Sequence, residues 1–154
     1  MLAQMVQEQR KITLSEETIS YVSLFGALDR EQLERLLGYM TQRHCRSGER
    51  IFSRGDLPSD IYVLLQGRVD FVVEEHGVAR LKTSYKVGDT FGETAVIGIQ
   101  TQIGSAIASG DDVELLVLSR DSLLLLHKED PYLYGVLMMN IAREVSRKLH
   151  ASVL

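Results

Sequence analysis

Residues 48–73, GERIFSRGDLPSDIYVLLQGRVDFVV, determine the fold class of this chain. The stretch contains two runs of β-branched, aliphatic and aromatic residues, 61–65 and 69–73, with a glycine between them. Short runs of this kind, bounded by turn residues, are typical of β-strands. Gln66-Gly67, which lies between the runs, predicts a hairpin turn or a β-bulge.

The same pattern continues on both sides of this stretch, from about residue 41 to residue 119. Glu75-His76-Gly77 predicts a hairpin turn, because its glycine can adopt a positive φ. Glycine turn signals separate the runs at Gly48, Gly55, Gly67, Gly77, Gly88 and Gly110. Strands at this spacing predict an antiparallel sandwich or roll.

Helical periodicity replaces the β pattern at both ends of the chain. On the N-terminal side, Asp29 and Gln32 form a capping-box pattern, and Ser15 can cap an earlier short helix. On the C-terminal side, Asp130-Pro131 places a capping residue before a proline at the first helical position. Apolar residues then recur every four positions, at Leu133, Leu137, Ile141, Val145 and Leu149.

These patterns divide the chain into two regions. We expect an N-terminal helical segment at 1–22 and a main domain at 23–154. Within the main domain, the roll covers about 41–119 and the C-terminal helices cover about 120–150. The fold class is therefore mostly β with flanking helices.

The composition is that of one globular domain. Apolar residues make up 45% and charged residues 25% of the 154 residues, which argues against disorder. The formal net charge of −4 argues against a nucleic-acid partner. No apolar run reaches the roughly 18 residues of a membrane-spanning helix. Cys45 is the only cysteine, which excludes an internal disulfide, and we expect a cytoplasmic protein.

Two further stretches share a register with residues 48–73. They are Gly88-Asp89-Thr90-Phe91-Gly92-Glu93 and Val113-Glu114-Leu115-Leu116-Val117-Leu118-Ser119-Arg120. From about Leu24 to Leu149, the chain resembles the cyclic nucleotide-binding domain family, in the form of the sensor domain of catabolite activator proteins without the DNA-binding domain. The resemblance implies an antiparallel double-stranded β-helix, or jelly roll, followed by a long C-terminal helix.

The first of these two stretches looks like the start of the family's phosphate-binding cassette. A short helical turn that begins near Phe91-Gly92-Glu93 leaves backbone N–H groups free to bind an anion. The resemblance implies that Glu93 binds the ribose 2′-hydroxyl and that the ligand is cAMP or cGMP; no other cofactor is expected. Without this register, Gly92 is simply a turn and Glu93 a solvated charge. The residues expected at the ligand are Phe91, Gly92, Glu93, Thr94, Ala95, Gln102, Ile103, Gly104 and Ser105.

The chain departs from the family at the phosphate anchor. The family has an arginine about ten residues after the glutamate, and its planar guanidinium pairs with the cyclic phosphate. Here that position is Ile103, the small-residue stretch 104–109 follows it, and the adjacent Gln102 carries no charge. Loss of a buried charge partner costs about 2–5 kcal/mol, so we expect binding roughly thirtyfold to several-thousandfold weaker. The polar residues that could partly replace the arginine are Ser105, Arg80 and Lys82.

Other chemistry finds little support in the residues. A cupin-type metal site needs His and carboxylate ligands on adjacent strands, whereas the four histidines fall in separate elements. A haem site would use His44 or Cys45, and adjacent residues on a strand point to opposite faces. Neither a G-x-S-x-G nor a P-loop motif is present. We therefore expect a regulatory domain, not an enzyme, without a metal.

The output of such a domain must come from a partner or from self-association. Because the chain ends at Leu154, just after the predicted long helix, we expect no DNA binding by it. Because no apolar run is long enough to cross a bilayer, we also expect no membrane contact. The apolar stripe of that helix could form the parallel seam of a homodimer or pack onto the roll.

Two functions stay open at this point. The first is a sensor that binds a cyclic nucleotide, or a related phosphate ligand, and signals through its C-terminal helix. The second is a degenerate domain that no longer binds nucleotide and serves as a dimerisation or protein-docking module. In the second case we expect Ile103 to pack into the former phosphate site.

Overall fold

The structure is a computed structural model that describes residues 11–153. Its helices are α1 (Glu16–Tyr21), α2 (Arg30–Leu37), α3 (Glu93–Gly98), α4 (Arg120–Glu129) and α5 (Pro131–Val153), and a 3₁₀ turn covers Ser23–Phe25. Its strands are β1 (Thr41–Arg46), β2 (Arg50–Phe52), β3 (Asp60–Glu75), β4 (Val78–Tyr85), β5 (Thr90–Phe91) and β6 (Ser105–Ser119). The predicted segment 1–22 lies partly outside the described residues, and its separation from 23–154 stays a prediction.

The helix starts follow the predicted capping residues. The Ser15 hydroxyl accepts a hydrogen bond from the Thr18 N–H at 3.1 Å, and α1 begins after it. Asp29 and Gln32 form the complete capping box of α2. The Asp130 carboxylate accepts a hydrogen bond from the third residue of α5, so the proline start of the long helix is also as expected.

Two long strands hold the roll together. β3 and β6 pair antiparallel along most of their length, while β1 and β2 pair with β6, and β4 and β5 pair with β3. The mostly antiparallel jelly roll with flanking helices and a long C-terminal helix is therefore confirmed. Because β3 spans the whole sheet, it carries both the Tyr62 end that supports the cassette and the Phe71 end that lines the roll.

The two predicted turns in this part of the chain have different outcomes. Gln66-Gly67 is a bulge inside the continuous strand β3, where the register shifts against β6. Gly67 has φ +88°, and a Cβ atom there would lie 2.6 Å from the Asp112 carbonyl oxygen, so glycine lets the two strands cross closely. Glu75-His76-Gly77 is the predicted hairpin, with positive φ at His76 and Gly77.

The hydrophobic residues form two cores on opposite faces of the sheet. One fills the roll interior and includes Cys45, Phe52 and Phe71. The other lies between the outer face of the roll and the helices. Since side chains alternate along a strand, Ile61 and Val63 of β3 belong to the outer core while Tyr62 belongs to the inner one.

The long helix α5 lies on the outer core. Leu133, Leu137 and Ile141 are buried there, and Val145 packs at its edge. Of the predicted dimer seam, these residues therefore face their own domain, and only Leu149 is exposed. Of the two predicted roles of the stripe, packing onto the roll is confirmed, and its buried residues are not free to form a seam between two chains.

Candidate ligand-binding cassette

A left-handed glycine sets the shape of the cassette start. Gly92 has φ +82° and is the residue before the first turn of α3. A Cβ atom at this position would lie 2.8 Å from the Asp60 carbonyl oxygen and 3.1 Å from the Tyr62 ring. Only glycine combines this φ with so close an approach to β3, so Gly92 fixes where the next residue, Glu93, projects.

An aromatic stack supports this turn from the roll interior. Phe91 is fully buried between Tyr62 and Tyr85, with ring centroids 5.1 and 4.8 Å away and nearly parallel planes. Offset stacks of this kind stabilise a core beyond the area they bury. Phe91, predicted as a ligand residue, is therefore a buried support of the cassette and has no free face.

Glu93 is buried and paired with the C-terminal helix. Its side chain is 1% exposed, and Oε1 accepts a hydrogen bond from Lys148 Nζ at 2.5 Å. Lys148 Nζ also donates to the Thr90 carbonyl oxygen at 2.5 Å and lies 5.5 Å from the centroid of the Tyr85 ring. The reading of Glu93 as a solvated charge is excluded, because water hardly reaches its carboxylate.

Lys148 is the cassette residue that motif reading missed. It lies 55 positions after Glu93, on the long helix α5, so no local motif joins the two residues. Thr90 belongs to the cassette-like stretch but was not predicted to contact a ligand, and its buried Oγ1 is without a hydrogen-bond partner in the part of the chain that the structure describes. Burial, and then the negative charge of Glu93, raise the pKa of the Tyr85 phenol, so Tyr85 stays neutral beside the ion pair.

The rest of the cassette alternates between inward and outward side chains. Thr94 is exposed and Ala95 is buried. Gln102 is 8% exposed, whereas Ile103, the expected anchor position, is 73% exposed. The expectation that Ile103 packs into the phosphate site is therefore wrong, because its side chain points to solvent.

Gln102 is the inward polar side chain at this point of the cassette. It lines a cavity of about 370 Å³ together with Arg43, Asp60 and Tyr62. Its side-chain amide has no hydrogen bond to a described residue, while its backbone bonds to Gly55 and Asp56 hold the segment in place. The Gln102 amide is nearly buried but still reached by solvent, so it is available to a ligand or to water.

The remaining predicted ligand residues have structural roles. A Cβ atom on Gly104 would lie 2.6 Å from the Val72 carbonyl oxygen, so glycine is needed where β6 begins. The Ser105 hydroxyl accepts hydrogen bonds from the Arg54 N–H at 3.0 Å and from Arg50 Nη1 at 3.3 Å. The Ser105 hydroxyl is therefore engaged by the chain itself, and its role at a ligand stays a prediction.

The other proposed substitutes and sites also have local partners. Arg80 pairs with Glu75 at 3.1 Å on the exposed edge of the sheet, and Lys82 is exposed. Cys45 is buried in the roll interior, which raises its thiol pKa to about 11, and His44 faces outward to Asp112. Within residues 11–153, no group of three or more His, Cys, Asp or Glu side chains is placed to hold a metal.

The comparison with protein families agrees with this geometry. The family model described as the cyclic nucleotide-binding domain matches residues 42–130, which is more than half of the chain and includes the whole roll core and the cassette. The chain belongs to the cyclic nucleotide-binding domain family. This family is a regulatory one whose domain is not itself catalytic.

Individual relatives place the domain inside longer proteins. It is similar to the cGMP-dependent protein kinase egl-4 of Caenorhabditis briggsae, with 29% identity over 106 residues, which are 68% of this chain and 14% of that kinase. The match to the cAMP-dependent protein kinase regulatory subunit of Yarrowia lipolytica is 29% over 93 residues, 60% of this chain and 24% of that subunit. The chain thus spans less than a quarter of the length of either relative.

Among solved structures, the domain resembles the catabolite activator protein of Thermus thermophilus. The TM-score is 0.74 at 29% identity, covering 84% of this chain and 59% of that one. In the part of the domain that the structure describes, no helix has both the length and the hydrophobicity to cross a membrane.

Proposed function

We propose that the domain is a regulatory sensor that binds a cyclic nucleotide, cAMP or cGMP, at the cassette. The observation that carries the proposal is the Gly92-Glu93 turn: a left-handed glycine packed on β3 projects a buried carboxylate from the first residue of α3. A buried carboxylate is a strong acceptor for the ribose 2′-hydroxyl, the one free ribose hydroxyl of a 3′,5′-cyclic nucleotide. The names of the relatives, a cGMP-dependent and a cAMP-dependent kinase protein, support the same ligand class.

The signal is proposed to pass to the C-terminal helix. Lys148 of α5 bonds directly to Glu93, so a ligand that takes the Glu93 carboxylate changes a contact that holds α5. We infer a cytoplasmic domain without catalytic activity that acts on a protein partner of unknown identity. The degenerate, non-binding alternative gains no support from Ile103, since its exposed side chain does not fill the phosphate site.

Neutralising Glu93 tests the site. Glu93→Gln replaces a charge-assisted hydrogen bond with a neutral one, and we expect cyclic-nucleotide affinity to fall about 5- to 30-fold, or about 1–2 kcal/mol. Isothermal titration with cAMP and cGMP at millimolar ligand measures it, with thermal shift as a second readout. Glu74→Gln, on the exposed part of β3, is the matched control and should bind as the unchanged domain does. Equal affinity of Glu93→Gln and the unchanged domain would rule the site out.

We also propose that the domain is a homodimer through α5, on a face different from the buried stripe. The exposed residues of α5 include a run at alternating spacings of three and four, which suits a two-helix seam. This run consists of Tyr132, Gly135, Met139, Ala142, Ser146 and Leu149. Its small members permit close approach of two helices, and its large members are apolar and lack cover within the described chain.

Met139→Glu tests this dimer. A charge at the centre of the seam faces its own copy across a two-fold axis, so we expect the dimer dissociation constant to rise at least tenfold, or about 1.4 kcal/mol. Sedimentation velocity over a concentration series measures the change. Leu124→Glu on α4 is the matched control, because Leu124 and Met139 are both 56% exposed. A monomer at all concentrations, or equal weakening by both variants, would contradict the proposed seam.

A further inference from the structure

The ammonium group of Lys148 lies against Glu93 Oε1, an oxygen of the carboxylate proposed to bind the ligand. Its Nζ bridges Glu93 Oε1 and the Thr90 carbonyl oxygen, both at 2.5 Å. We propose that Lys148 is an internal latch, which closes the cassette in the unliganded domain and which the ligand must displace. The inference rests on the proposed function, because it takes Glu93 as the residue that binds the ligand.

Of the ion pair between Lys148 and Glu93, Lys148 is the residue that can move. Glu93 is fixed by the Gly92 turn and is almost fully buried, whereas the Lys148 side chain is 38% exposed. A lysine ammonium on its flexible four-carbon stem can turn into water at low cost. The carboxylate cannot follow it, so opening the latch leaves Glu93 available to a new donor within the cassette.

The buried negative charge of Glu93 explains why the cassette needs a ligand once Lys148 has left. A buried carboxylate without a partner is strongly unfavourable, because the interior solvates it poorly. In the unliganded domain Lys148 supplies the opposite charge and the hydrogen bond. The ribose 2′-hydroxyl of a cyclic nucleotide would supply a hydrogen bond in its place. The latch therefore sets a threshold that a ligand must exceed, and it does so at the residue that recognises the ligand.

The position of Lys148 limits the response to the end of α5. Ile141 is the last residue of α5 that is fully covered by the outer core, and beyond it Glu144, Val145 and Lys148 are only partly covered. The N-terminal half of the helix is fixed by its buried leucines. We expect latch opening to loosen the turns from about residue 146 onward and to leave the first half of α5 unchanged.

Amide hydrogen exchange on the complete chain without ligand tests the latch. We expect Lys148→Met and Glu93→Gln each to speed exchange at residues 146–153 at least threefold, and the double variant to be no faster than the quicker single one. Arg147→Met is the matched control, since Arg147 is exposed and, among residues 11–153, pairs only with Glu144 on its own helix. Exchange in Lys148→Met that equals the unchanged domain, or effects that multiply in the double variant, would overturn the latch.

Nucleotide titration supplies the second arm. If the latch competes with the ligand, Lys148→Met should bind cAMP or cGMP about tenfold more tightly than the unchanged domain, whereas equal or weaker binding overturns the competition. Should neither protein bind at millimolar nucleotide, the proposed function fails, and the exchange result alone then decides whether Lys148 closes the cassette. Thermal melting of the Lys148→Met/Glu93→Gln double variant, which has no unpaired charge at this position, is the folding control, and we expect a cooperative transition like that of the unchanged domain.

Discussion

Replacing Gln102 with arginine is expected to raise the affinity for a cyclic nucleotide by about 10- to 150-fold. Gln102 points into the cavity of about 370 Å³ beside the cassette, and its amide has no described partner there. A hydrogen bond between a charged guanidinium and a phosphate contributes about 1.5–3 kcal/mol, and each 1.4 kcal/mol is tenfold in affinity. Asp60 lines the same cavity, so the new guanidinium has a carboxylate to pair with before ligand arrives.

Ile103→Arg is the control that separates the effect of side-chain direction from the effect of an added positive charge. It adds the same charge at the next position, but Ile103 is exposed and its side chain leads away from the cassette. We expect no more than about a twofold gain, which is the size of a screened surface effect. Isothermal titration of both variants with cAMP and cGMP gives the comparison. Equal gains for the two variants, or a gain for Ile103→Arg alone, would show that the segment turns the other way when ligand binds.

The local parts of this structure follow from sequence because their causes are local. The capping box at Asp29 and Gln32 and the hairpin at His76-Gly77 each depend on a few neighbouring residues. For Gln66-Gly67 the sequence predicted either a hairpin or a bulge, because both can use a glycine there. The structure has a bulge, since β6 pairs with β3 on both sides of Gly67.

In the cassette, too, the features that depend on neighbouring residues could be predicted, and those that depend on distant contacts could not. Gly92 and Glu93 could be predicted, because the turn and the carboxylate are adjacent in sequence. The pairing of Glu93 with Lys148 could not, since 55 residues separate them and only the packing of α5 joins them. Counting positions gave Ile103 as the anchor site, but a count carries no side-chain direction, and the backbone bonds of Gln102 turn that residue inward instead.

Helix α5 has two apolar faces, and the sequence does not say which one packs against the domain. The stripe that repeats every four residues could form a dimer seam or pack onto the roll, and in the structure it is part of the outer core. The second stripe is less apolar and contains glycine, alanine and serine, so hydrophobicity alone does not reveal it. It became visible once the structure showed which residues of the helix remain exposed.

Asn140→Leu is expected to destabilise the domain by about 2–4 kcal/mol. Asn140 is buried in the middle of α5, and its Nδ2 donates hydrogen bonds to the carbonyl oxygens of Leu24 at 2.9 Å and Gly26 at 2.5 Å. Leucine has a similar volume, so the change leaves little cavity but removes both donors. Each buried carbonyl that loses its partner costs about 1–3 kcal/mol, and less where, as at Gly26, it is partly exposed.

Urea unfolding measures this loss, and Arg143→Ala serves as its control. Arg143 Nη1 donates to Asn140 Oδ1 at 3.1 Å from the exposed side of the helix, where water can replace it, so we expect a change of about 0.5 kcal/mol. A loss below about 1 kcal/mol for Asn140→Leu would mean that the N-terminal turn is held to α5 by apolar packing alone. The expected larger loss makes Asn140 the fixed point of α5, against which the end that carries Lys148 can move.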